Sequence, residues 1–144
     1  TWPLPQALPA LNPSGIGRLM ELRTGLPATG AAFAEMFAPA AFLDANPELR
    51  DRLAGMTGDA ERAARRRSVI GDGSSADASE IAVPTLLIAG ALDQIVPAPV
   101  TLGMADRIAS ARHVLLPDVG HVTTLQVPGQ VALHVRDFAR SIHG

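Results

Sequence analysis

Val83-Pro84-Thr85-Leu86-Leu87-Ile88-Ala89-Gly90 is the stretch that decides the fold class. It is a continuous apolar run of strand length, opened by proline and ended by glycine, the pattern of a strand covered on both faces. Downstream, Val100 to Ala109 reads as a helix and His113-Val114-Leu115-Leu116 as a second short apolar strand stopped by Pro117. Val131, Val135, Phe138 and Ile142 then recur at helical spacing along a final helix. Strand, crossover helix and strand imply parallel pairing, so the fold class is α/β, with residues 81–144 forming a β-α-β-α unit. Two parallel strands cannot bury both of their faces, so the rest of the sheet is expected to come from elsewhere.

Upstream the period is helical. Three prolines in the first nine residues give an extended entry. Ile16, Leu19, Met20 and Leu22 recur at helical spacing until Gly25 and Pro27, and Phe33, Met36 and Phe37 repeat the pattern before Pro39. Asn46-Pro47-Glu48 reads as a helix start with an Asn cap, Pro at the first helical position and an acid suited to the dipole. An Ala- and Arg-rich segment, Asp59 to Ile70, runs into Gly71-Asp72-Gly73-Ser74-Ser75, a loop by composition and the expected boundary. The division is therefore a helical segment, residues 1–80, and the strand-bearing unit, residues 81–144.

Composition narrows the partners. The 144 residues carry 12 basic and 14 acidic side chains, and every basic one is Arg, so no lysine stripe tracks a phosphate backbone. Arg65-Arg66-Arg67 reads as a solvated helix face. Without cysteine, disulfides and thiol nucleophiles are excluded. The apolar stretch Ile81 to Ile88 is interrupted by Pro84 and too short to span a bilayer. Thr1-Trp2-Pro3-Leu4-Pro5 does not read as the start of a translated chain.

Two residues stand out by position. Asp93 follows the first strand and His121 the second, in Gly120-His121, so both sit at carboxyl ends of parallel strands, where open α/β sheets place their ligands. There an Asp orients a His through one ring nitrogen and leaves the other to act as a base. Gly120 is expected to let the backbone turn sharply, and Asp118 reads as a turn residue. His113, His134 and His143 read as structural or solvated, and no metal set forms.

On Val83 to Gly90, Asp93, Pro97, Gly120-His121 and Pro128, residues 81–144 resemble the C-terminal part of the α/β-hydrolase fold. The resemblance implies that Asp93 is the triad acid and His121 the base. Residues 1–80 resemble the family's helical cap more loosely, Phe33 to Arg50 being similar to caps of lactonase-like small hydrolases. Trp2, Met20, Phe33, Met36 and Phe37 are expected chiefly to pack this lid and are candidates for lining a substrate pocket.

The family's nucleophile elbow, Gly-x-Ser-x-Gly, is absent, and none of the serines from Ser14 to Ser141 has its context. The resemblance therefore implies a partner, an N-terminal chain carrying the nucleophile, the oxyanion hole and the first strands. The expectation is a serine-type hydrolase of a small ester, lactone or related bond, with no cofactor, no metal and a cytoplasmic setting. Its alternatives are an aspartyl-nucleophile dehalogenase or epoxide hydrolase of the same fold, and a binding protein that has lost catalysis. An N-terminal nucleophile at Thr1, using its own amine, is a further alternative.

Overall fold

In the computed structural model the described residues are 13–55 and 77–143. Trp2, the Ala- and Arg-rich segment and the boundary loop at 71–75 lie outside them.

The first part is a set of short helices: α1 (Pro13–Thr24), α2 (Gly30–Glu35), α3 (Ala40–Ala45) and α4 (Pro47–Ala54). Apolar residues at helical spacing turn one side of each inward, and prolines punctuate them, Pro39 standing before α3 and Pro47 at the head of α4. Asn46 departs from the sequence expectation. Its side chain makes no cap to α4 and instead donates from Nδ2 to the carbonyl oxygen of Phe42 at 2.8 Å, closing the end of α3.

A 3-10 turn, Ala78–Glu80, capped by Asp77, leads into the strand-bearing unit. The Asp77 carboxyl is held below its ordinary value, first by the backbone N–H of Ser79, then by the Ser79 hydroxyl and by Arg107. β1 (Thr85–Gly90), α5 (Ala98–Leu102), β2 (Ala111–Leu116), α6 (Thr123–Gln126) and α7 (Pro128–His143) follow. The strands pair in parallel, from Thr85 opposite Ala111 to Gly90 opposite Leu116.

Two expectations change here. The helix expected over residues 100–109 is α only as far as Leu102 and then tightens to a 3-10 turn, Gly103–Asp106, as glycine weakens the α geometry. β2 begins at Ala111, before His113, so it includes the exposed Arg112 and His113 and is not a purely apolar strand. Leu115 in β2, and Val135 and Ile142 in the apolar row of α7, are 49%, 50% and 42% exposed, so the described residues cover these faces only in part.

The packing joins the two parts. Leu22, Phe33 and Met36 from the helices share one buried cluster with Ile95 and Val96, from the loop that leaves β1. Ala34, Ala38, Leu43 and Leu53 form a second, with Val122 of the loop after β2 against it. The helical segment is therefore packed directly onto the two loops that follow the strands.

Candidate active site

Both loops leave the same end of the parallel pair, which brings residues 28 positions apart into contact. After Gly90 the chain turns tightly: the Ala91 N–H donates to the Leu116 carbonyl oxygen (2.9 Å) and that of Leu92 to Val119 (2.8 Å). These bonds tie the first loop to the second. A side chain at position 90 has no room, because its Cβ would collide with the carbonyl oxygens of Val119 and Gly120 and lie 2.8 Å from the Val119 carbonyl carbon. Gly90→Ala should therefore destabilise the fold by about 1–3 kcal/mol, since the obstacle is backbone. A melting temperature equal to wild type would contradict this account of the crossing.

Asp93 is saturated with partners. Its Oδ1 accepts from the backbone N–H groups of Ile95 and Val96, each at 2.8 Å, and its Oδ2 lies 2.9 Å from His121 Nδ1. The two N–H groups fix the carboxylate plane, so Oδ2 is presented to the imidazole in one orientation. The Asp93 side chain is 11% exposed and that of His121 24%, so the pair is largely withdrawn from water yet open on one side. With Nδ1 engaged by the carboxylate, Nε2 is the nitrogen left to exchange a proton with a reacting group.

Two cavities meet at Asp93. One, of about 140 Å³, touches the consecutive residues Leu86 to Gly90 together with Asp93 and His121. Successive strand side chains point to opposite faces, so a cavity meeting all of them runs along the edge of β1. That edge is the one not paired with β2. The other, about 350 Å³, lies between Pro39 at the head of α3 and Ala91 to Gln94.

Asp93 and His121 are thus brought together, whereas the residues expected to line a pocket scatter. Phe33 and Met36 are 0% and 6% exposed, belong to the buried cluster and line neither cavity. Met20 is 54% exposed and lines neither cavity. Of those among the described residues, Phe37 alone reaches the site, with its ring edge-on to the His121 imidazole at 5.9 Å between centroids. Asp118 is exposed and left-handed (φ 58°), in keeping with its reading as a turn residue, whereas Gly120 is not left-handed. Gly120 is required by close approach instead, a Cβ there lying 2.8 Å from the Phe37 carbonyl oxygen. Gln94 and Gln126, which the sequence did not single out, hold the loops: Gln94 Nε2 donates to the Glu35 carbonyl oxygen at 3.1 Å, and Gln126 Oε1 accepts from the Gly120 N–H at 2.7 Å. Their one sequence signal is position, each being an amide side chain within six residues of the acid or the base. Among the described residues no three His, Cys, Asp or Glu side chains cluster as a metal site, and no helix is long and apolar enough to cross a membrane.

The architecture is that of the α/β-hydrolase fold, in its C-terminal portion. No protein-family model and no curated protein matches the sequence. Among solved structures, the chain is similar to a thermophilic esterase from Thermogutta terrifontis, with a TM-score of 0.64 and 19% identity over 92% of this chain and 52% of that one. It is also similar to a meta-cleavage product hydrolase from Pseudomonas fluorescens, with a TM-score of 0.62 and 22% identity over 81% of this chain and 46% of that one. The chain therefore spans about half the length of the structures it matches.

Proposed function

We propose that this chain is the cap and C-terminal core of a serine-type α/β hydrolase, cleaving a small ester, lactone or related bond. Residues 1–80 serve as the cap and residues 81–144 carry the acid, Asp93, and the base, His121. The observation that carries the reading is the 2.9 Å contact between His121 Nδ1 and Asp93 Oδ2 at the carboxyl ends of two parallel strands. The nucleophile elbow, which these 144 residues lack, is supplied by an N-terminal chain whose strands continue the sheet at the open edge of β1. The cytoplasm is the proposed compartment.

In this mechanism His121 Nε2 takes the serine hydroxyl proton as the serine oxygen attacks the carbonyl carbon. Asp93 holds the imidazole in the tautomer with hydrogen on Nδ1 and stabilises the imidazolium. When the tetrahedral intermediate collapses, the proton passes from Nε2 to the departing oxygen. Water then repeats the sequence on the acyl group and restores the free serine. The oxyanion is held by backbone N–H groups of the partner.

Treating the purified protein, with its associated polypeptide, with a serine-directed fluorophosphonate tests this reading. The expected result is a mass increase on one serine of the partner, none on residues 1–144, and loss of ester turnover. A label on this chain, or full turnover by residues 1–144 alone, overturns it. Heavy oxygen from labelled water in a partner aspartate, after a single turnover, moves the chemistry to an aspartyl nucleophile.

A further inference from the structure

His121 lies between two backbone N–H groups that are each secured by a different element. On one side the N–H of the buried Gly120 donates to Gln126 Oε1 of α6 at 2.7 Å. On the other side the N–H of Val122 donates to the carbonyl oxygen of Phe37, just past α2, at 3.2 Å. The Phe37 ring stands at 65° to the imidazole, and is itself set edge-on against the buried Phe33, at 5.2 Å between centroids. Asp93 fixes one nitrogen of the ring, but a single hydrogen bond leaves the imidazole free to rock about it. The remaining restraints come from the loop backbone and from the aromatic edge.

We infer that Gln126 and Phe37 are positioning residues for His121. Neither touches a reacting atom. Gln126 holds the backbone that sets where the imidazole starts, and Phe37 limits how it tilts towards or away from Asp93. The inference rests on the reading of His121 as the base, and it assigns the cap turn at Phe37 to the core as a fixed brace. Removing the Gln126 acceptor leaves the buried Gly120 N–H unpaired, and the loop relieves that penalty by moving. Removing the Phe37 ring leaves the backbone bonds in place and takes packing from the imidazole and from both buried clusters, so the melting temperature is read beside the signal.

The test uses Gln126→Leu, Gln126→Glu and Phe37→Leu in the whole protein with its associated polypeptide. In histidine-labelled protein the proton on His121 Nδ1 gives an NMR signal that reports the bond to Asp93 whether or not substrate turns over. The expected result is a broadened Nδ1–H signal in Gln126→Leu and Phe37→Leu. It is accompanied by a kcat about tenfold lower on a p-nitrophenyl ester and a KM within about twofold of wild type, the signature of misplacement. Gln126→Glu, which keeps the acceptor, should restore both. Unchanged signals in both variants overturn the inference, as does a loss of kcat that follows melting temperature and is not rescued by Gln126→Glu. A wild type that shows the signal but turns over no ester defeats the hydrolase reading alone, and the signals in the variants still decide the positioning.

Discussion

His121→Ala should lower ester turnover by at least about 10³-fold, because the base that moves the proton in both half-reactions is gone. The melting temperature should change little. His121 contributes no large apolar area to either buried cluster, and the Oδ1 bonds from Asp93 to Ile95 and Val96 survive the substitution. The expected cost is about 1 kcal/mol, that of one hydrogen bond between partly solvated groups. Turnover by a fluorogenic ester and a thermal melt on the same sample decide the matter. Turnover close to wild type would show that His121 is not the base.

Asp93→Asn should be almost as severe for a different reason. Oδ1 accepts two backbone N–H groups at 2.8 Å each, so the carboxamide must keep its oxygen there and turn its NH₂ towards His121. Nδ1 then becomes the acceptor, the imidazole proton moves to Nε2, and the nitrogen facing the nucleophile can no longer receive a proton. The expected fall in kcat is on the order of 10²–10⁴-fold, with the fold retained. The nitrogen shifts of the labelled imidazole should report the exchanged tautomer. A variant within about tenfold of wild type would show that Asp93 does not set the tautomer, on the scale of triad acid substitutions.

Much of the site follows from local pattern. An apolar run between Pro84 and Gly90 is a strand, and whatever comes next leaves from its carboxyl end, which is why position alone singles out Asp93 and His121. The short helices were readable for the same reason, since i, i+3 and i+4 spacing is a property of neighbouring residues. Aromatic and sulfur side chains in the cap were less readable. Period alone says that Phe33, Met36 and Phe37 share a helix face, and it does not say which of them the face buries. Phe33 and Met36 went to the core with Ile95 and Val96, residues some 60 positions away, and Phe37 alone was left against the imidazole.

The sequence by itself determined the α/β class, the order of strands and helices, the two residues suited to acid and base roles, and the absence of an elbow from these 144 residues. Each depends on residue type and short-range spacing. Only the tertiary structure decided how the pieces lock. Gly90 is demanded by the crossing with Val119 and Gly120, and Gly120 by the close approach of Phe37. Gln94 holds its loop by a bond to Glu35, 59 positions away. The physical reason is that a hydrogen bond or a steric limit between distant segments depends on where both ends arrive in space, and the side-chain period of either segment carries no record of the other.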